Sequence, residues 1–510
     1  MLALELLRYV QSESLSEEGL REFFERYRIT GESVDTDVFF AMCFRGRISE
    51  GIIRCFLEHF PLAANFSKNG ITPLHAVVNN KRVSLDIVEL LVDAAPDSVR
   101  SVDIEGGMPL HHLCGGEVNE KTALEIMKLL IDKYPEGVRH ADSTGSLPLH
   151  HACKVRSPDF CRVLVEACPG SERIPGENNI LPLAAACIRN DFATVEYFYN
   201  LYPDAINHTI SDELPVNPIL ITIAGIDKRT DPITAVEIVK FLLNLNPNSS
   251  TNALAGGLSL IFVACNQIFV QNLDIEAGIQ VIKVIFDSHP EAIEDGHIAS
   301  NFHNWNQELQ AFINSQLLYA RQARDNRQMT TPDDNGQLPL HTALQNNVRL
   351  GSIKLLVKGN PAAINSLDNS GSLPLHVACQ HHDSIVVIQY LVGLDISTLE
   401  AVDYEHNTAL HYACRSAKYE TIAMLLEEYD AVSVSKQNVD GRLPLDLLTE
   451  SNEVVDRGSV EYTESVFRLL RAYPETVMNY NLHVNEEEGA SASDDDCSIQ
   501  DKKRRKLAVD

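Results

Sequence analysis

Tryptophan occurs once in these 510 residues, at Trp305, and positive charge is scarce. Lys and Arg total 42 against 71 Asp and Glu, a formal net charge of −29. Such a field repels nucleic-acid phosphates and anionic lipid and favours basic partners, although a negative surface also serves solubility. Long apolar runs are missing too. The most apolar stretch, Ala253 to Cys265, is shorter than the roughly 20 residues a membrane helix needs, and reads as a buried helix. Met1-Leu2-Ala3-Leu4-Glu5 lacks a basic start and charge interrupts the apolar run, so no secretory signal is expected. There is no phosphate-cradling glycine loop, no nucleophile elbow and no pair of carboxylates at informative spacing; Gly256-Gly257 lacks the flanks of a nucleotide site. Neither a catalytic residue nor a cofactor is expected. At 45% hydrophobic and 22% charged residues the chain is of folded type, but too long for one core, so several domains or a repeat array are expected.

What the chain does have is a recurring phrase, fullest at Thr144-Gly145-Ser146-Leu147-Pro148-Leu149-His150-His151-Ala152-Cys153. Its core returns as Pro73-Leu74-His75, Pro109-Leu110-His111, Pro182-Leu183-Ala184, Pro339-Leu340-His341, Pro374-Leu375-His376, Ala409-Leu410-His411 and Pro444-Leu445-Asp446. Successive copies lie 36, 39 and 34 residues apart in the first block and 35, 35 and 35 in the last. Prolines at 61, 96, 135, 169 and 203 keep the same time. A period near 35 residues with two apolar helical stretches per period means a solenoid of stacked helix pairs.

Chemistry explains the residue types in each unit. A turn residue (Gly70, Gly106, Gly145, Gly336, Gly371, Asn407, Gly441) takes the positive φ of a tight hairpin. The proline that follows suits the first helical turn, where a missing N–H costs nothing. Leucine opens the buried face, and the histidine after it is placed to bond backbone near the turn and tie one loop to the next. The second helix, as in Val88-Glu89-Leu90-Leu91-Val92, stops before Tyr-Pro or a variant of it. Cys114, Cys153, Cys187, Cys379 and Cys414 each follow the motif's proline position by five residues, and Cys265 follows a worn copy, Leu258-Ser259-Leu260. One cysteine per repeat at one position is a small buried side chain, not half of a disulfide, which places the chain in a reducing compartment.

Thr72-Pro73-Leu74-His75-Ala76, the period and the paired helices together resemble the ankyrin-repeat family, over about residues 37–480. The resemblance implies an all-α solenoid of paired antiparallel helices joined by short hairpin-like loops, and a role in holding other proteins. Two departures stand out. The family's threonine before proline survives only at Thr72 and Thr408, being Leu147, Leu181, Leu338, Leu373 and Leu443 elsewhere, and its glycine after the second helix gives way to Tyr134-Pro135, Tyr202-Pro203 and Tyr473-Pro474.

The expected division is a helical cap over 1–36, a first stack over 37–300, a degenerate repeat or spacer helix over 301–332, a second stack over 333–484 and a disordered charged tail over 485–510. In the cap, Leu2, Leu6, Leu7 and Val10 share one helical face, and Ser14-Leu15-Ser16-Glu17 reads as a capping box. Pro218-Ile219-Leu220-Ile221 is a worn motif in the weak stretch 205–335, the only room for a disguised enzyme site. The spacer offers a helix with Leu309, Phe312, Ile313 and Leu317 on one face. Ser491 and Ser493 sit three residues before acids, and Lys502, Lys503, Arg504, Arg505 and Lys506 read either as a nuclear import signal or as a solubilising end.

His111-His112-Leu113-Cys114 and His150-His151-Ala152-Cys153 invite a metal reading, but they fall on the structural position of the repeat, so no metal site is expected. His381-His382-Asp383 reads as a solvated loop. Function is expected where copies differ, at the turn residues Ile104 and Glu105, Ser143 and Thr144, Asn369 and Ser370, Tyr404 and Glu405. The sequence thus reads as a monomeric, non-catalytic interaction scaffold, cytoplasmic or nuclear, with protein partners and no nucleic-acid or membrane ligand. Its rival is a nuclear regulatory factor gripping a transcription or chromatin protein.

Overall fold

A computed structural model describes residues 2–10, 12, 14–27, 36–45, 48–208, 217–246, 259–270, 274–294, 298, 305, 307–428, 432–450 and 459–474. The chain divides into two compact units, Met1–Ile313 and Asn314–Asp510. Among the described residues there is no β-strand, only an isolated antiparallel bridge between Lys68 and Ile71. The Lys502–Lys506 run, Ser491 and Ser493 lie outside the described residues.

The first unit is a row of helix pairs: α1 (Leu2–Val10) with α2 (Glu17–Arg26), α3 (Thr36–Arg45) with α4 (Glu50–His59), α5 (Pro73–Val78) with α6 (Leu85–Ala94), and α7 (Pro109–Gly115) with α8 (Glu120–Lys133). The row continues through α9 (Pro148–Ala152) with α10 (Pro158–Ala167), α11 (Pro182–Arg189) with α12 (Phe192–Leu201), α13 (Pro218–Ala224) with α14 (Thr234–Leu245), and α15 (Leu260–Val270) with α16 (Ile275–Ser288). First helices pack on first helices, from α1 through α15, and second helices on second helices. The worn motifs over 205–335 therefore form helix pairs in register with their neighbours. The buried helix expected over 253–265 is the segment Leu260–Val270, with Leu260, Ile261, Ala264, Cys265 and Ile268 inside. Even α1–α2 stacks on α3–α4 as a pair of the same kind, with Leu6, Val10, Leu20 and Phe24 buried. Its cap corrects the sequence reading. Ser16, not Ser14, caps α2, accepting from the Gly19 N–H at 3.1 Å, and with glycine at that third position no reciprocal box forms.

The helix α17 (Gln307–Arg324) contains the boundary between the units. Its buried residues are Leu309, Ile313, Gln316 and Ala320 rather than an all-apolar stripe. The Gln316 Oε1 accepts from Ser352 Oγ at 2.6 Å, and a Cβ on Gly359 would come within 2.4 Å of the Ala323 carbonyl oxygen, so its C-terminal half holds a second-helix place. The second unit continues with α18 (Asn326–Thr330), α19 (Pro339–Gln345) and α20 (Leu350–Gly359), α21 (Pro374–His381) and α22 (Ile385–Leu394), α23 (Ala409–Arg415) and α24 (Tyr419–Glu428), α25 (Pro444–Glu450) and α26 (Val460–Ala472). One core of Leu, Ile, Val, Ala and Cys runs through these pairs, from Met329 to Leu469.

Proline does more than stop the second helix. Helices end two residues before Pro61, Pro96, Pro135 and Pro203, and each of these prolines then opens a single 3₁₀ turn. Val99, Val138 and Ile206 within those turns are buried. The Tyr-Pro signature thus replaces the usual glycine stop with a short pre-organised turn. The ten cysteines that are described are all buried and free. Burial raises the thiols of Cys114, Cys153 and Cys414, and that of Cys187 to about 11, so they act as packing groups. Cys153→Ala is expected to cost little, while Cys153→Ser, which buries a hydroxyl, is expected to cost about 1–3 kcal/mol in urea unfolding; equal midpoints would contradict the packing role.

First helices leave carbonyls unbonded at their C-termini, and the following repeat supplies donors. Asn80 Nδ2 donates to Cys43 O at 3.1 Å, and Asn190 Nδ2 to Cys153 O and Arg156 O at 2.7 Å each. The buried Arg156 guanidinium reaches Leu113 O, Cys114 O and Val118 O at 2.7, 3.2 and 2.6 Å. Arg229 holds Cys187 O and Asn190 O in the same way. His382, expected in a solvated loop, belongs to this set. It is buried, its Nδ1 accepts from Ser384 N at 3.0 Å, and its Nε2 donates to Val348 O at 2.9 Å. Asp383 beside it is exposed and bonds Asn347 and Lys418 of the flanking repeats.

Candidate functional site

The hairpin between one second helix and the next first helix is built on an aspartate that the sequence reading passed over. Asp103 Oδ1 accepts the N–H groups of Glu105 and Gly107, both at 2.8 Å, and its own N–H bonds Gly107 O. Asp142, Asp333, Asp368, Asp403 and Asn438 repeat this frame, each accepting from the residues two and four further on. Gly106, Gly145, Gly336, Gly371 and Gly441 hold φ between 74° and 85°, three residues after that acid. In the sixth frame the left-handed residue is His406 at φ 61°, not Asn407. Asn407 is instead fully buried, joining Asp403 to Asn438 through its side chain.

The motif histidines close the frame. In His75, His111, His150, His341, His376 and His411 the Nδ1 accepts the backbone N–H three residues back, at 3.0–3.3 Å. The ring proton therefore sits on Nε2, which donates to the carbonyl of Gly107, His140, Ile174, Ser372, Ala401 and Arg442 respectively, in the next repeat. Where threonine stands three residues before the histidine, Thr72 and Thr408 add a hydroxyl bond to Nδ1 at 2.9 Å. Leu147, Leu338 and Leu373 forgo it and pack inside, while the imidazole still caps the helix. A neutral buried ring loses by charging. Desolvation holds His75, His111 and His150 at about 4, and lowers His341, His376 and His411.

The second histidine of each pair has a different partner. His112 Nε2 bonds Asp103 Oδ2 at 2.7 Å and His151 Nε2 bonds Asp142 Oδ2 at 2.9 Å; in the second unit Tyr412 Oη donates to Asp403 Oδ2 at 2.7 Å from the same place. Burial alone would raise Asp142, but hydrogen bonds from Thr144, His151 and the Ser146 N–H together hold it at about 2. The rings of His111 and His151 stand edge to face at 5.6 Å. Among the described residues no three His, Cys, Asp or Glu side chains are grouped to hold a metal ion.

Upon this frame the tips project. Ile104 is 74% and Tyr404 67% exposed, and Glu105, Ser143, Thr144, Asn369, Ser370 and Glu405 are also exposed. Backbone bonds link tip to tip. Ile104 N–H donates to Asn69 O and Ser143 N–H to Glu105 O in the first unit; Asn369 N–H donates to Asn335 O, Tyr404 N–H to Ser370 O and Val439 N–H to Glu405 O in the second. The expected contact residues thus form rows within each unit. Val439 and Asp440, in the turn before Pro444-Leu445-Asp446, extend the second row.

The fold and this frame define a helical repeat solenoid with side chains displayed on hairpin tips. The family model for ankyrin repeats matches three times, at residues 84–173, 297–400 and 340–438, and the chain carries ankyrin repeats over those segments. Ankyrin repeats in general mediate protein–protein interaction, and proteins built of them are typically non-catalytic. A search of curated proteins finds no match to the chain. No helix among the described residues is long and apolar enough to cross a membrane.

Proposed function

We propose that this chain is a non-catalytic scaffold or adaptor that holds protein partners along its hairpin rows. The observation that carries the reading is the contrast within each repeat. Asp, Gly and His are fixed by bonds to backbone, whereas the residues between Asp and Gly, such as Ile104-Glu105, Asn369-Ser370 and Tyr404-Glu405, differ and face solvent. Frame residues carry stability and tip residues carry recognition. The net charge of −29 favours a basic partner. We take the working form to be a monomer with a first stack over 37–300 and a second over 333–484.

The test is a comparison of two surface variants of the full chain. Replacing Ile104, Glu105, Tyr404 and Glu405 by serine is expected to remove captured partners without lowering Tm. Replacing the exposed second-helix residues Glu89 and Lys128 by serine is expected to leave capture unchanged. Loss in the second variant and not the first would overturn the reading.

The run Lys502, Lys503, Arg504, Arg505 and Lys506 favours one more reading, a nuclear regulatory factor imported through that signal and gripping a transcription or chromatin protein. Changing all five to alanine in a tagged copy is expected to shift it from nucleus to cytoplasm. The same distribution for both copies would remove the nuclear reading and leave the scaffold.

A further inference from the structure

Three consecutive hairpins of the second unit share an apolar outer face. In an extended leg residues i and i+2 point the same way, and the aspartates Asp368 and Asp403 between them point inward and are buried. The outward pairs are Leu367 with Asn369, Val402 with Tyr404, and Gln437 with Val439. Leu367, Val402, Tyr404 and Val439 are 50, 41, 67 and 66% exposed, in a fold whose other aliphatic residues are mostly inside. The corresponding pairs before them are Val102 with Ile104, Ala141 with Ser143 and Pro332 with Asp334, so the first unit carries one apolar hairpin, at Val102 and Ile104, whereas the second unit carries three in succession. The face is held flat by the bonds from Tyr404 N–H to Ser370 O and from Val439 N–H to Glu405 O, at 3.1 and 2.9 Å. The Tyr404 ring also lies against Gly371, where any Cβ would come within 2.7 Å of it.

The rim of this face is acidic. Glu405 and Asp440 sit at the tips and Glu400 lies below, all exposed. The basic groups nearby are engaged: Lys436 Nζ donates to the Glu400 carbonyl at 2.7 Å and Arg442 pairs with Glu450 at 2.7 Å. An apolar strip rimmed by carboxylates fits a segment with cations next to aliphatic side chains. The chain carries one such segment itself, Lys502-Lys503-Arg504-Arg505-Lys506-Leu507-Ala508-Val509.

The geometry of the exit favours that occupant. In earlier repeats the chain reaches the next hairpin seven residues after the proline that follows the second helix, as from Pro96 to Asp103, Pro135 to Asp142 and Pro361 to Asp368. Pro474 holds that proline's place after α26, the second helix of the repeat that the Val439 hairpin opens. From Pro474 to Lys502 there are 28 residues, a contour of up to about 90 Å. Three neighbouring hairpins at about 10 Å spacing fall within it.

We propose that residues 502–509 dock on the Leu367–Val439 face of their own chain, so that the basic run and the second hairpin row cover each other until a partner displaces the tail. The proposal rests on the hairpin row being a docking face, and adds its regulation. A tether of this length gives an effective concentration near the millimolar range, so a weak site suffices.

Hydrogen exchange of the full chain tests it, read on the peptides containing Tyr404 and Val439. With most chains docked, those amides are expected to exchange about tenfold faster when Lys502 to Lys506 are all alanine. Tyr404→Ser with Val439→Ser is expected to release the tail peptide 500–510 in the same way, as is 0.5 M salt for the native chain. Equal exchange in native and five-alanine chains would overturn the proposal, as would protection that grows with chain concentration, since the tail would then be docking on a second copy. Partner capture by the five-alanine chain separates the two readings: capture with unchanged exchange keeps the scaffold and rejects the tail.

Discussion

Acidification from pH 7 to pH 4 is expected to unfold the first unit through its histidines, before its carboxylates titrate. His75, His111 and His150 are held at about 4 in the fold by burial, aided by the neighbouring imidazoles of His112 and His151 and only partly offset by bonds to backbone carbonyls, against about 6.5 in the unfolded chain. A depressed folded value means stability that is complete above pH 6.5 and lost as pH falls toward 4, because only the unfolded chain takes up the protons. Each ring then costs about 2 kcal/mol at pH 5 and about 3 kcal/mol at pH 4. Three rings together reach the ~5–15 kcal/mol that stabilises an ordinary domain. Asp142, held at about 2, loses its contribution only below its unfolded value of about 3.9, so the two phases separate. Circular dichroism against pH checks this: a transition between pH 6 and 4 taking up about three protons is expected. A helical signal unchanged to pH 4 would contradict it.

The second large effect belongs to Arg156. It is 4% exposed, its guanidinium serves three backbone carbonyls of the preceding repeat, and it meets Glu120 Oε2 at 3.4 Å. Arg156→Ala strands those carbonyls without water or donor. Unmade buried bonds cost about 1–3 kcal/mol each, only partly relieved by relaxation, so a loss of about 4 kcal/mol is expected. Arg156→Lys, with a compact head and no fork, is expected to restore less than half. Trp305, the single tryptophan, is buried in the same unit and reports its unfolding in urea. A midpoint unchanged in Arg156→Ala would show that the carbonyls find other donors.

The repeated part of this architecture was legible because its causes are local. Proline at the first helical position, leucine behind it, cysteine five residues on and a left-handed glycine before it each follow from chain geometry within ten residues. For the metal-like histidines recurrence was the only guide to a structural role, and His150 bonds Leu147 N and Ile174 O. What stayed hidden involves partners far along the chain or a signal drowned by composition. Arg156 and Asn190 bond residues 34 to 43 positions earlier, which no short window displays. The frame aspartates are invisible among 71 acids unless spacing to the positive-φ residue is counted. His406 takes the place assigned to Asn407 because Asn407 is needed inside, between Asp403 and Asn438. Tip residues were singled out as the turn positions that vary between copies, and the structure shows them exposed.

Imidazole nitrogen NMR of the full chain tests most directly the claim that the motif histidines are architecture and not chemistry. At pH 6 the account predicts that His75, His111, His150, His341, His376 and His411 are neutral, with the proton on Nε2 and a bare Nδ1. A ring among them that carries its proton on Nδ1, or titrates near 6.5, would contradict it.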